Sequence, residues 1–320
     1  MKPGLPVQRN PRPLIWRGVV AVIVLAVSVS FWFGISAQEM LTGRRFVPWS
    51  AYVLCGNSKP AALPETVRIG FYEEFPVPWR LDKLSQVDFP VTLAIAASTR
   101  AEFLELPESI LQAYPQVREV YFWPVLSHDE GYYVGSWSDA DGVQRVAAEA
   151  KGLPVLWDLE LPLGGQGFSI QHWWRNRAFL DEWLSQRAGP VHIWRSHTSM
   201  GLDPLFLRLI GMHFDPLDYL TVSLHLSLYT TGSGLPEDEV RRILRCGVER
   251  YGDRFIPAFG SLNDGEGSEE IFVPAETLRR DLQLAREAGV SEIWLFGVNG
   301  LNADYLSALR ETVPLETLSK

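Results

Sequence analysis

The chain has 320 residues, a formal net charge of -9 and a composition that is 47% hydrophobic. This apolar fraction is ample for one large core, and a barrel of alternating strands and helices occupies roughly 250 residues as a single unit. The negative charge argues against a nucleic-acid partner, because binding to a phosphate backbone needs a dense basic surface and no basic stretch follows Arg45.

The amino-terminal segment has the pattern of a membrane anchor. Residues 1–17 carry basic residues and no acidic ones, and residues 18–35 carry no charge. A basic flank before an apolar stretch of this length is typical of a segment that leaves the following domain outside the cytoplasm. The bulky cluster Phe31–Phe33 favours an uncleaved anchor at the cell membrane, whereas the small Ala37 leaves cleavage and secretion open. We therefore predict a cytoplasmic flank at 1–17, a transmembrane anchor or signal segment at 18–37, a linker at 38–64 and an extracytoplasmic barrel at 65–320.

The chain contains two cysteines, Cys55 and Cys246. They can form one disulfide if the domain faces an oxidising compartment, or remain two separate thiols, and the sequence does not decide between these states. With so few thiols there is no paired-cysteine metal motif.

Eight apolar runs follow the amino-terminal segment, and helix-patterned stretches separate them. This alternation is the signature of an α/β fold of the (β/α)8 TIM barrel type, whose active sites lie at the carboxyl ends of the strands. A helix predicted at 302–313 follows the last run. The predicted strands are Val67–Phe75, Phe89–Ser98, Val117–Leu126, Leu153–Leu161, Val191–Thr198, Tyr219–Tyr229, Arg254–Leu262 and Glu292–Asn299.

The first predicted strand ends in two adjacent carboxylates, Glu73 and Glu74. Because side chains alternate between the two faces of a strand, only one of them can face the pocket. We expect the other to cap or pair with the loop at Pro76–Arg80.

The third strand leads from Trp123 into a loop rich in acidic and aromatic residues. Flat apolar faces beside carboxylates suit pyranose rings, because C–H bonds stack on the aromatic face and hydroxyls need acceptors. The alternative is a loop whose aromatic side chains only pack on their neighbours. The residues concerned are His128, Asp129, Glu130, Tyr132, Tyr133 and Trp137.

The fourth strand carries Asp158 and Glu160, two residues apart in an otherwise apolar run. Both side chains are therefore expected on one face, and that face should be the barrel interior because two carboxylates against the helices would be costly to bury. Two like charges at close range raise the pKa of one partner, and a carboxylic acid that stays protonated near neutrality can act as a general acid in glycoside cleavage. The alternative is a structural pair bridged by Arg195.

The remaining strands add further polar and aromatic candidates near the carboxyl ends. Arg195 and His197 end strand five, and the alternation of strand six sends His225 and Tyr229 to the interior. A histidine in a barrel is more often a hydrogen-bonded core group than a catalyst. Strand eight contributes Trp294, as the floor of a sugar subsite or as ordinary core, and Asn299.

These residues resemble the motifs of the family 18 glycoside hydrolases, the chitinase-like barrels. The resemblance rests on Asp158-Leu-Glu160, the opening Ile69-Gly-Phe-Tyr72, Tyr229 and Trp294. It implies Glu160 as general acid, Asp158 as the carboxylate that orients a substrate N-acetyl group, Tyr229 as an assisting residue and Trp294 as the floor of the site. The chain departs from the family pattern where Leu156 replaces an expected Asp, and its second strand lacks the Ser-x-Gly-Gly motif.

Three functions follow as hypotheses. The first is a membrane-tethered enzyme that cleaves an envelope or extracellular polysaccharide without a cofactor or metal. Its attacking group is the substrate's own N-acetyl oxygen or, without that group, a second carboxylate among Glu73, Glu74, Asp129 and Glu130. The second is a glycan- or protein-binding module that has lost catalysis, which the departure at Leu156 favours. The third is a metal-dependent hydrolase that uses His128, Asp129, His197 and His225.

Overall fold

The computed structural model describes residues 62–162, 169–196, 207, 214–228, 235–260, 262 and 273–317, all within a unit that spans 48–320. The predicted membrane segment at 18–37, Cys55, His197 and Tyr229 lie outside the described residues. Within the described ranges, no helix has the length and apolar character needed to cross a bilayer. Cys246 is disulfide-bonded, and Cys55 is the one other cysteine in the sequence.

Eight parallel strands close into a barrel in chain order, which confirms the predicted fold. Parallel strands connected by helices bury both faces, which explains their nearly continuous apolar sequences. The strands are β1 (Arg68–Glu73), β2 (Val91–Ala97), β3 (Val117–Pro124), β4 (Val155–Asp158), β5 (Val191–Ser196), β6 (Val222–Ser227), β7 (Phe255–Phe259) and β8 (Glu292–Phe296).

Helices cover the outside of the barrel, and the last agrees with the closing helix predicted at 302–313. Several have a side-chain cap at the first turn. Thr99 accepts a hydrogen bond from Glu102 N at the start of one, and Asn302 accepts two at the start of the last. The helices are α1 (Pro78–Leu81), α2 (Arg100–Leu104), α3 (Pro107–Ala113), α4 (Ala140–Glu149), α5 (Ile170–Ser185), α6 (Glu237–Tyr251), α7 (Ala275–Glu287) and α8 (Ala303–Thr312).

The strands are shorter than the apolar runs that predicted them, and β4 shows why. It ends at Asp158, whereas the sequence predicted a strand to Leu161. The carbonyl oxygen of Asp158 accepts a hydrogen bond from Val134 N at 3.1 Å, in the loop after β3. A loop contact thus replaces the strand ladder at this point, and Glu160 lies beyond the strand.

The strands separate two apolar layers. On β1, Ile69 and Phe71 pack in the outer layer against the helices, whereas Tyr72 packs in the inner layer with Tyr121 and Trp294. The alternation of side chains along each strand produces this division.

We call the buried aromatic and histidine side chains at the barrel centre the central plug; they are Tyr72, Tyr121, His192, His225 and Trp294. His225 Nδ1 is hydrogen-bonded to the Tyr72 hydroxyl, and His225 Nε2 lies 2.7 Å from His192 Nδ1. Burial lowers the pKa of His192 to about 3 and also lowers the pKa of His225, so both rings are neutral at physiological pH.

Gly70 makes room for the largest member of the plug. A Cβ atom at Gly70 would lie 2.2 Å from Cε2 of Trp294, so only glycine allows the indole to occupy this space. The Trp294 indole N–H donates to Glu292 Oε1 at 2.7 Å, and Glu292 also pairs with Arg68 at 2.6 Å. Among the described residues, the centre of the barrel is therefore packed.

Candidate active site

Three acidic side chains come together at the carboxyl ends of the strands. We call Glu74, Asp158 and Glu160 the carboxylate cluster. Asp158 has the same strand parity as Leu156 of the inner layer and is 4% exposed, whereas Glu160 and Glu74 are half-buried. As expected from the spacing of the pair, Asp158 and Glu160 share the barrel mouth.

Burial is the largest influence on both carboxyl groups of the pair. It raises the pKa of Asp158 well above its ordinary value, and the charges of Glu160 and Glu74 raise it further. It raises the pKa of Glu160 to about 7, where the charge of Glu74 also raises it and a hydrogen bond from Tyr133 lowers it. The pair therefore titrates as a unit and retains a proton near neutral pH.

Glu73 and Glu74 point in different directions, as the alternation along β1 predicted. Glu73 Oε1 accepts hydrogen bonds from Phe75 N at 2.9 Å and from Arg80 Nη1 at 3.2 Å. It thus orders the loop after β1. Glu74 faces the mouth, where its side chain accepts a hydrogen bond from Tyr132. Of the two, Glu74 is the site candidate.

Two tyrosines of the loop after β3 contact the cluster. Tyr132 donates to Glu74, and Tyr133 is hydrogen-bonded to Glu160. Burial raises the pKa of both phenols, and the neighbouring carboxylates raise it further, so both hydroxyls stay protonated and act as donors. The sequence predicts a saccharide-binding role for the aromatic rings of this loop, and the structure shows that its tyrosine hydroxyls contact the carboxylates.

The loop after β3 is fastened to the end of β4. The Trp157 indole N–H donates to Val134 O at 2.9 Å, in addition to the bond from Val134 N to Asp158 O. A Cβ atom at Gly135 would lie 2.2 Å from the carbonyl oxygen of Glu160, so the loop approaches this segment as closely as glycine allows. The positions of the two tyrosines and of Asp158 and Glu160 are therefore set together.

A buried acceptor and a buried donor at the mouth lack hydrogen-bond partners among the described residues. They are Asp158 Oδ1 and Trp123 Nε1. The Trp123 indole N–H lies towards Asp158 and lowers the pKa of that carboxyl group as a weak donor, but the two groups do not form a full hydrogen bond. An unsatisfied buried polar atom costs about 1–3 kcal/mol, so both atoms are suited to bind a hydroxyl group that enters the mouth.

Two aromatic residues at the mouth were missed in the sequence. Trp194 is half-buried and pairs in register with Asp158, and Phe296 is half-buried with its ring 6.2 Å from that of Trp123. Phe296 could have been found by stepping two residues along strand eight from Trp294, since period two keeps both inside. The same step from His192 leads to Trp194.

Trp294 is placed differently from the predicted subsite floor. It is completely buried within the central plug, and Phe296 lies one inward position nearer the carboxyl end of β8. His225 is likewise a hydrogen-bonded core group, as its sequence context favoured. Neither side chain can reach a ligand at the mouth without repacking of the plug.

Arg195 lies away from the mouth, although the sequence made it a candidate for substrate binding. It alternates with Trp194 and therefore faces the helix layer, where its charge interacts with Tyr251, Asp215 and Tyr219. Burial lowers its pKa. Arg195 therefore does not face the mouth as a substrate-binding residue, and it does not bridge Asp158 and Glu160 as the structural alternative required.

Glu130 and Asp129 also lie apart from the cluster. Glu130 completes a capping box with Ser127 and pairs with Arg145 at 2.9 Å, which occupies both of its oxygens. Asp129 is exposed in the turn His128–Glu130. Asn299 is buried after β8, and its backbone donates to Glu73. Glu130 and Asn299 therefore support loops around the mouth.

The residues proposed for a metal centre do not assemble. His128 and Asp129 are exposed on the loop after β3, whereas His225 is enclosed in the plug. His197 lies outside the described residues. Throughout the described ranges, no group of three or more metal-ligating side chains is present.

No family model matches the chain, and no curated protein sequence matches it. Similar solved structures include a 3-keto-D-glucoside 4-epimerase from E. coli, at 11% identity over 77% of this chain and 98% of that chain, with a TM-score of 0.45. They also include the catalytic domain of a β-amylase from Paenibacillus polymyxa (9% identity, 79% and 99% coverage, TM-score 0.44). A citrate lyase from Burkholderia xenovorans has 14% identity, 81% and 80% coverage and a TM-score of 0.37. The chain thus has structural neighbours among glycoside hydrolases and other barrel enzymes, which concerns the fold alone.

Proposed function

We propose that this protein is an exported, membrane-tethered glycoside hydrolase that cleaves an envelope or extracellular polysaccharide. The observation that carries the proposal is the pair Asp158 and Glu160, which retains a proton near neutral pH at the barrel mouth. Glycoside cleavage needs such a protonated carboxyl group, since the leaving oxygen must gain a proton as the bond breaks.

Glu160 is the residue that delivers the proton. It is the more exposed of the pair, and its raised pKa of about 7 keeps a large fraction protonated at neutral pH. Asp158 lies deeper, where its charge disfavours ionisation of the pair and its buried Oδ1 can accept a substrate hydroxyl. Trp194, Phe296 and Trp123 supply flat apolar faces for a pyranose ring.

Export is supported by two features of the chain. The basic flank and uncharged stretch before residue 36 are typical of a membrane-inserted segment. Cys246 is disulfide-bonded, and disulfides persist mainly in oxidising compartments. A reporter enzyme fused after Lys320 tests this part of the proposal: activity of a reporter that works only in the cytoplasm would contradict export.

The acid is tested by Glu160→Gln in the full-length protein, assayed on defined oligosaccharides with unactivated linkages. The variant keeps the shape and hydrogen bonding of the side chain but has no proton to donate, so turnover should fall by roughly 10²–10⁴ with saccharide binding nearly unchanged. Asp158→Asn should also slow turnover. Glu105→Gln, which changes an exposed carboxylate at the end of α2, is the matched control and should leave turnover unchanged.

A second candidate is a binding module on the same surface. Leu156 occupies an inward position directly before the pair and packs in the inner apolar layer, where the resembled family has an acid. Saccharide binding by the parent without turnover on any oligosaccharide would favour this candidate. Equal turnover by the parent, Glu160→Gln and Asp158→Asn would instead show that the pair is structural.

A further inference from the structure

We propose that Glu74 is the second catalytic carboxylate of this site and attacks the anomeric carbon from the side of the mouth that faces Glu160. The inference rests on the proposed glycosidase function and deepens it. It gives the protein its own nucleophile and thereby defines the class of substrate it can cleave.

The barrel geometry places Glu74 across the mouth from Asp158 and Glu160. Glu74 directly follows β1, and β1 and β4 are separated by two strands on one side and by four on the other. Residues at the ends of such well-separated strands face each other across the mouth, as the two carboxylates of a glycosidase must face each other across the scissile bond.

Tyr132 fixes the Glu74 side chain in this position. Its hydroxyl donates to Glu74 Oε1, and its backbone has a φ of 61°, in the left-handed region that few non-glycine residues adopt. Two hydrogen bonds hold that conformation, from Tyr132 N to Ser127 O at 3.0 Å and from Leu126 N to Tyr132 O at 2.7 Å. Backbone strain of this kind is retained mainly at functional sites.

The other carboxylates considered for this role are committed elsewhere. Glu73 binds Phe75 N and Arg80, and Glu130 binds Ser127 and Arg145. Asp129 is exposed on the outer turn of its loop. Among these four residues, Glu74 is the one whose charge acts on both Asp158 and Glu160, so it lies close to them. A carboxylate on this side of the scissile bond can attack the anomeric carbon directly, through a covalent glycosyl-enzyme.

The reaction then has two balanced steps. A carboxylate oxygen of Glu74 forms a bond to the anomeric carbon as the glycosidic C–O bond breaks, and Glu160 gives its proton to the leaving oxygen. Water next attacks the same carbon, the Glu160 carboxylate takes a proton from that water, and the ester bond to Glu74 breaks to regenerate its carboxylate. No redox partner or other reactant is needed.

The role of Glu74 determines the substrate class. An enzyme that uses the N-acetyl oxygen of its substrate as nucleophile cleaves only 2-acetamido sugars. With Glu74 as nucleophile the acetamido group is dispensable, so the substrate class extends to pyranosides that carry a 2-hydroxyl group in its place.

The test uses the full-length protein and 2,4-dinitrophenyl glycosides of glucose, galactose, mannose and N-acetylglucosamine in both anomeric forms. This leaving group departs without protonation, so bond cleavage needs the nucleophile and not the acid. We expect Glu74→Ala to lose at least about 10³-fold in turnover, whereas Glu160→Gln should keep a burst of dinitrophenol release. Added azide should restore turnover of Glu74→Ala with formation of a glycosyl azide of inverted configuration. Glu105→Ala is the matched control, and thermal unfolding of each variant shows that it is folded.

The outcomes separate this inference from the proposed function. Hydrolysis of 2-hydroxy glycosides with rescue of Glu74→Ala by azide supports the inference. Turnover of Glu74→Ala within threefold of the parent, or cleavage of N-acetylglucosaminides alone, overturns it while Glu160 stays the acid. A parent protein that hydrolyses neither these glycosides nor the oligosaccharide panel overturns the proposed function and this inference with it.

Discussion

The central plug and the carboxylate cluster are both polar groups buried inside one barrel, yet they are built on opposite rules. In the plug, His225 is hydrogen-bonded on both nitrogens, and both of its partners are neutral. In the cluster, like charges face one another and Asp158 Oδ1 has no partner among the described residues. Satisfied neutral polarity stabilises a fold, whereas unsatisfied like-charged polarity weakens it and is retained for chemistry.

The largest effect that would sharpen this comparison is expected for Trp294→Ala. Removal of this fully buried indole leaves a large cavity in the plug, and the free energy of unfolding should fall by about 3–5 kcal/mol in urea titrations. Trp174→Ala, at an indole that is 68% exposed, should change it by less than about 0.5 kcal/mol. If Trp294→Ala instead kept its stability and lost saccharide binding, Trp294 would be the subsite floor that its sequence position suggested.

An intermediate effect is expected for the pH dependence of stability. The pKa of His192 is about 3 in the folded protein and about 6.5 when unfolded, so its neutral form favours folding above pH 6.5 and this contribution is lost as the pH falls towards 3. Between pH 6.5 and pH 5, this histidine should lower the free energy of unfolding by about 2 kcal/mol. The free energy of unfolding of His192→Gln, measured by urea titration, should therefore change less with pH over this range than that of the parent. The exposed control His128→Gln should show the same pH dependence as the parent. If the free energy of unfolding of His192→Gln changed with pH as steeply as that of the parent, a neutral His192 in the plug would be contradicted.

The smallest effect is expected at the mouth, for Tyr133→Phe. The hydrogen bond from Tyr133 lowers the pKa of Glu160, so its loss should raise that pKa above about 7. Because the acid works when protonated, the alkaline limb of kcat/KM should move to higher pH by roughly half a unit to one unit. Tyr114→Phe, which loses an exposed hydrogen bond to Asp82, is the control. A shift to lower pH would show that Tyr133 does not stabilise the charged form of Glu160.

The sequence predicted the barrel because its signal is repeated along the whole chain. Apolar runs and helical stretches alternate eight times, and errors of a few residues at strand ends do not alter that order. The inward placement of Asp158 and the opposite directions of Glu73 and Glu74 follow from the alternation of side chains along a strand.

The parts of the site that the sequence misplaced or missed depend on long-range contacts. From its position in the sequence, Arg195 could be a partner of Asp158 and Glu160. It lies two residues from Ile193 on β5, and the alternation of side chains therefore places both on the helix side. Glu130 reads as a pocket acid, but a helix-capping contact and Arg145 occupy it. The hydroxyls of Tyr132 and Tyr133 reach the cluster from a loop that turns through two residues with positive φ, Gly131 and Tyr132. Local patterns carry no information about such contacts.

The attachment of the loop after β3 to the end of β4 has a consequence for engineering and for evolutionary change. Barrels usually acquire new specificities by exchanging one loop at a time. Here Val134 and Gly135 contact the backbone of Asp158 and Glu160 and help to position both residues. A foreign loop grafted between β3 and α4 would bring its own aromatic residues but would lack the contacts that position Asp158 and Glu160. The module that can be transplanted is therefore the pair of neighbouring loops, which must be inherited or redesigned together.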